Sequence, residues 1–194
     1  HTRLQGDWSS DVCSSDLLHW FQTDLRLADN PALASVKDAT TLLCVYLMPK
    51  PRPWCNLTGL GPQRDRFLRE TLQELKDQLQ ALGQDLMVLE GSPELVLPNI
   101  VDRFSIDHVT TNFTPGWYES QAITFLEQKL PATLSVFRGN RLFDAEQFPF
   151  AAEDLPDTFS HFRRRVEKLN ISSPIPAPGA LPPPPSAQFD AIPK

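Results

Sequence analysis

Short, unbroken apolar runs alternate along this chain with longer stretches whose leucines return every three or four positions. Leu18 to Phe21 and Leu42 to Leu47 are two such runs, partly β-branched or aromatic and bounded by polar residues or proline. Runs of that length predict strands buried on both faces. Between them Asn30-Pro31 predicts the start of a short helix, because proline suits the first helical position and Asp29 or Asn30 can cap the open amides. From Pro62 the pattern lengthens: Leu68, Leu72, Leu75, Leu79 and Leu82 form one stripe with Arg, Glu, Lys and Gln opposite, and Gly83 ends the helix. Leu86 to Leu89 is a third strand. Ser92-Pro93-Glu94 starts a helix whose apolar side is Leu97, Ile100, Val101 and Phe104. Val109 to Phe113 is a fourth strand, Thr114-Pro115 opens a helix with Ile123, Leu126 and Leu130 on one side, and Thr133 to Phe137 is a fifth strand.

Strands and helices that alternate at this spacing define an α/β fold, a Rossmann-like doubly wound five-stranded parallel sheet with helices on both faces. Ligands of such folds sit beyond the carboxyl ends of the strands. Here those loops are Gln22 to Asn30, Met48 to Gly61, Glu90 to Ser92, Asn112 to Glu119 and Arg138 to Arg141. After Phe150 the pattern changes to a short amphipathic helix within LPDTFSHFRRRVEKL, residues 155 to 169, followed by a Pro-rich extended tail. Eight of the chain's 19 prolines fall between Pro174 and Pro193. Such a tail forms neither helix nor sheet core, and reads either as an unstructured terminus or as a connector toward a second domain.

Residues 1–17 have no periodicity and run into the first strand without a turn. The stretch from Asp7 to Leu17, DWSSDVCSSDL, resembles the conceptual translation of a sequencing-library adapter; the other reading is a polar, unstructured leader. Either way residues 1–17 are set aside from the fold. That leaves residues 18–150 as the α/β domain and 151–194 as the connector.

The hydrophobic fraction of 41% and charged fraction of 22% are those of a soluble globular domain, and the apolar runs fall well short of the ~20 residues a membrane-spanning helix needs. A cytoplasmic protein with no membrane partner is expected. Cys13, Cys44 and Cys55 are odd in number and widely spaced, which suggests neither a disulfide framework nor a zinc site, and His1, His19, His108 and His161 give no metal-ligand spacing. A net charge of −6 argues against a nucleic-acid surface on this segment. There is no phosphate loop and no GxSxG elbow, and Gly59-Leu60-Gly61 follows a Pro-rich loop instead of a strand-to-helix turn. Without a base, nucleophile or ligand set, no catalytic and no metal-binding residue is assigned.

Residues 18–33, LHWFQTDLRLADNPAL, resemble the opening of photolyases and cryptochromes, WFRxDLRxxDNxAL. Asp24 and Arg26 would then pair or cap the first loop, while Asp29, Asn30 and Pro31 start the next helix. Gln147-Phe148-Pro149-Phe150 and LPDTFSHFRRRVEKL are similar to the DASH-type cryptochrome pattern LPF followed by LPxxFTxFRxxVE. Gly61-Pro62-Gln63-Arg64 and Phe67-Leu68 resemble the family's entry into its long second helix. Gln22 departs from the pattern, standing where the family usually has arginine.

The resemblance implies the N-terminal antenna domain of a photolyase or DASH cryptochrome, cut off before the helical domain that holds FAD and receives a damaged, flipped-out DNA base. The chain would then lack the catalytic flavin site of a deoxyribodipyrimidine photo-lyase. Its own ligand would be an antenna chromophore, methenyltetrahydrofolate or a deazaflavin. Within NFTPGWYES, Glu119 occupies the family's folate-antenna position, with Tyr118 beside it and Trp117 or Trp54 as aromatic walls. A carboxylate takes paired pterin N–H donors, and aromatic rings stack on the pterin. Glu119 reads equally as a first-turn residue placed by the helix dipole. A stand-alone nucleotide-binding or interaction module of the same superfold is the alternative function, since fold alone does not fix function.

Overall fold

The computed structural model describes residues 15–49, 59–143 and 145–185. The leader up to residue 14, Trp54, Cys55 and the chain beyond Pro185 lie outside the described residues. Five strands alternate with four helices: β1 Asp16–Phe21, α1 Pro31–Ala34, β2 Thr41–Met48, α2 Pro62–Ala81, β3 Leu86–Glu90, α3 Pro93–Phe104, β4 His108–Asn112, α4 Trp117–Lys129 and β5 Thr133–Phe137. All pairings are parallel and the order is β3-β2-β1-β4-β5, so the expected doubly wound α/β sheet is present.

Alternate residues of β1, β2 and β3 feed two separate cores. Leu17, Phe21, Leu42, Cys44 and Val88 face Leu33 and Val36 of the α1 segment and the α2 stripe Leu72, Leu75 and Leu79. Leu18, Trp20, Val45 and Val109 face Leu97, Ile100 and Val101 of α3 and Ile123 and Leu126 of α4. Helix starts follow the local chemistry. The Asn30 side chain accepts from Leu33 N–H at α1, and Gly83 takes the left-handed turn (φ 76°) just after α2.

Two boundaries differ from expectation. β1 begins at Asp16, so Asp16 and Leu17, set aside with the leader, belong to the sheet: Leu17 is buried and pairs with Leu42 and His108. α4 begins at Trp117 with Gly116 as its cap, not at Thr114-Pro115.

The described residues divide into two compact units, one formed by the chain up to Gly139 together with the segment from Ile175 on, the other by Asn140–Pro174. The first unit ends at Gly139, and the described part of the Pro-rich tail from Ile175 on belongs to it. A proline run cannot donate backbone hydrogen bonds, but its carbonyls still accept. Pro183 O takes the N–H of Leu42, ahead of the point where β3 begins pairing with β2 at Cys44. Pro182 O takes Gln84 Nε2 at 2.6 Å, and the same nitrogen donates to Leu42 O at 2.7 Å. Leu181 packs on the α1/α2 core. Gln84 is 3% exposed, so Gln84→Ala strands two buried carbonyls and is expected to lower stability by about 2 kcal/mol in urea unfolding.

In the second unit, Phe143, Phe148, Phe150 and Phe162 form an aromatic knot with ring centroids 5.6 to 6.0 Å apart. α5, Phe159–Val166, is capped by Thr158 and ends in Arg163, Arg164 and Arg165, cations that suit the negative end of its dipole. Arg165 lies 5.5 Å over the Phe150 ring. This is the short helix expected within residues 155 to 169. Among the described residues no helix is long and apolar enough to cross a membrane.

Candidate functional site

The strand order switches between β1 and β4, and in doubly wound sheets the crevice beyond the carboxyl ends at that switch is where ligands bind. β4 is polar where the other central strands are apolar: Thr110, Thr111 and Asn112 are all buried. The loop after β1 is tied to it by a closed set of amide contacts. Asp24, 6% exposed, accepts from Gln22 N–H at 3.0 Å, from Asn30 Nδ2 at 3.3 Å and from Asn112 Nδ2. Asn112 Nδ2 also donates to Asn30 Oδ1 at 2.7 Å, the oxygen that caps α1 through Leu33 N–H at 3.0 Å. Asp24 thus organises the loop through amide donors.

Gln22 spans the same crevice, with Nε2 donating to Thr111 Oγ1 at 2.9 Å and to Asn112 O at 3.1 Å. A neutral amide therefore bridges β1 and β4 where the family pattern has a guanidinium. Asn112 Oδ1 is buried with no hydrogen-bond partner among the described residues. Gly139 covers it so closely that a Cβ there would lie 2.8 Å from that oxygen and 2.6 Å from Pro31 Cδ. Any larger residue would displace the exit of β5 from the crevice.

Behind the crevice, His19 Nδ1 pairs with Thr110 Oγ1 at 3.0 Å, its ring meets Phe21 edge-on at 4.3 Å, and its Nε2 has no partner among the described residues. Burial holds the His19 pKa down from 6.5 to about 4, against a smaller opposing pull from Asp24. The neighbouring Cys44 thiol is pushed well above its usual range by burial and then by Asp85, which leaves it unreactive.

The expected antenna residues lie on the first turn of α4, at the same edge of the sheet. Glu119 is half-buried, and its carboxylate lies so close over Gly116 that Oε2 occupies the space a Cβ there would need. It is the acidic residue of the first turn of α4, where the helix dipole favours a negative charge. Trp117 is 73% and Tyr118 55% exposed. A cavity of about 220 Å³ between α4 and the ends of β4 and β5 has Phe113, Ile123 and Val136 as apolar lining and Arg138 among its polar residues; Glu119 does not line it. Among the described residues no three His, Cys, Asp or Glu side chains gather to hold a metal ion. Thr110, Asn112 and Gly139 were not singled out from sequence. The available signal was a buried strand reading HVTTN, three consecutive polar residues where its neighbours are aliphatic.

A five-stranded, all-parallel doubly wound sheet with a polar, amide-closed switch point defines a Rossmann-like α/β domain. The particular family follows from comparison. The DNA photolyase family model matches residues 17–183, and the chain belongs to that family. It is 36% identical over 182 residues to the cryptochrome DASH of Vibrio parahaemolyticus, covering 90% of this chain and 41% of that protein. It is 33% identical to the cryptochrome DASH of Gloeobacter violaceus over 94% of the chain and 38% of that protein. The crystal structure of the Synechocystis cryptochrome superposes with a TM-score of 0.83 at 28% identity, covering 93% of this chain and 39% of that one. The chain thus spans about two fifths of the length of these relatives and corresponds to their N-terminal α/β domain.

Proposed function

We propose that the chain is an antenna-chromophore domain, holding a light-absorbing pterin or deazaflavin that passes excitation to a flavin bound elsewhere. FAD, damaged DNA, and the choice between dimer repair and blue-light sensing belong, on this reading, to the part of the relatives that this chain does not match. The observation that carries it is the first turn of α4: a half-buried carboxylate at Gly116 beside exposed Trp117 and Tyr118, at the carboxyl edge of the sheet. A reduced pterin presents adjacent N–H donors that two carboxylate oxygens can take together, and an aromatic wall adds stacking. Bound there, the chromophore would supply light absorption; the chain's residues would orient it and shield one face.

The test is titration of the full chain with methenyltetrahydrofolate, followed by the chromophore's absorbance and fluorescence. Glu119→Gln keeps the shape and one acceptor but loses the charge, and is expected to weaken binding about tenfold. Affinity unchanged in Glu119→Gln and in Trp117→Ala would remove the pterin site from this turn. Saturable binding of a deazaflavin with none of folate would move the antenna to another chromophore class.

A further inference from the structure

The string DLRLADN supplies two charged residues, Arg26 and Asp29, that the antenna reading leaves unused. The first compact unit gives up the chain after Gly139 and takes it back at Ile175, and these two side chains hold both points. Arg26 Nη2 donates to Gly139 O at 2.9 Å and to Asp29 O at 2.9 Å, while Nε donates to Ala28 O and Asp29 O at 3.2 Å each. Asp29 N–H donates to Ile175 O at 2.7 Å, and Ile175 N–H donates back to Asp29 Oδ1 at 3.3 Å. The two residues are also ion-paired, Arg26 Nη2 to Asp29 Oδ2 at 3.7 Å.

We infer that Arg26 and Asp29 form a clamp that closes the neck of the Asn140–Pro174 segment, tying the residue before it and the residue after it to one turn. An exposed ion pair by itself would be a weak device. Here the ion pair is incidental to charge-assisted bonds onto backbone carbonyls, which are stronger and directional. The guanidinium fork reaches Ala28, Asp29 and Gly139 together, a geometry that a lysine ammonium on its flexible stem does not hold. Asp29 sits in the left-handed region (φ 51°), which aspartate tolerates and which turns its N–H and carboxylate toward Ile175. The clamp is separate from the sheet's own bonding, so the neck can open while the sheet stays folded. The inference does not depend on any chromophore.

The test uses the full chain with Cys13 and Cys55 changed to serine and spin labels on Asn140→Cys and Ser173→Cys, both exposed positions. The wild-type neck is expected to give one narrow label-to-label distance. Arg26→Ala and Asp29→Gly should broaden it, Asp29→Gly because it keeps the left-handed turn and removes only the carboxylate. Arg26→Lys should not restore the narrow distribution. In Arg26→Ala, which deletes no bond made by Ile175 itself, the Ile175 amide should exchange about tenfold faster. The amides of Leu43 and Val45 in β2 should keep their wild-type protection. A distribution as narrow in the variants as in the parent, or one already broad in the parent, overturns the clamp. So does equal loss of protection in β2, which would make the pair a part of the core.

Discussion

Asn112→Ala is expected to lower the unfolding free energy by about 4 kcal/mol, because it removes a bond to a buried carboxylate, a second to the α1 cap, and the volume between them. Asn112 Nδ2 serves both Asp24 and Asn30 Oδ1 from the end of β4. With it gone, Asp24 keeps only the Gln22 amide and Asn30 Nδ2 in a site that is 6% exposed. A carboxylate held in that way has lost a donor that water cannot easily replace, and the penalty is that of a half-satisfied buried charge. Asp24→Ala removes the same contact from the other side. If the network acts as a unit, the double variant loses about 2 kcal/mol less than the sum of the two singles. Urea unfolding of the four proteins measures this directly, and additivity within error would show that Asp24 and Asn112 stabilise the crevice independently.

How much of this was legible in the sequence follows from the periodicity of each element. Leu72, Leu75 and Leu79 repeat at helical spacing and lie where the stripe put them, with Leu68 and Leu82 packed on the same core. Leu42 to Leu47 is apolar throughout because β2 is buried on both faces, and it formed a strand as read. Local capping chemistry was equally readable at Asn30. The crevice was not, because its parts are brought together by tertiary pairing across more than eighty positions. Gln22 meets Thr111, and Asp24 meets Asn112, only once β1 and β4 are neighbours. Glycine at position 139 is required by Pro31 and Asn112, two residues that share no local pattern with it. The tail is extended as its prolines predict, and what the sequence did not show is where it lies: prolines rule out a strand's donors, yet the first unit needs only acceptors from Pro182 and Pro183.

His19 makes the domain lose stability as the pH falls from 6.5 toward about 4. Burial lowers its pKa from 6.5 to about 4, so between those values the unfolded chain binds a proton that the folded chain refuses. Stability then rises with pH, because the unfolded state carries more protons. No contribution remains above 6.5, and the whole loss is reached near 4. At about 1.4 kcal/mol per pH unit, that interval amounts to about 3 kcal/mol. His108, half-buried on β4 with Nε2 beside Ser135 Oγ, is also held low by burial, against a smaller pull from Asp107, and works in the same direction. His19→Leu removes the titrating group and keeps an apolar side chain against Phe21, at the cost of Thr110's partner at Oγ1. Urea midpoints at pH 7, 6, 5 and 4.5 should therefore fall more steeply for the parent than for the variant, converging as the pH drops. Parallel slopes would mean that His19 gains a proton as readily in the folded sheet as outside it. The missing partner at Nε2 would then be supplied by something other than the surrounding core.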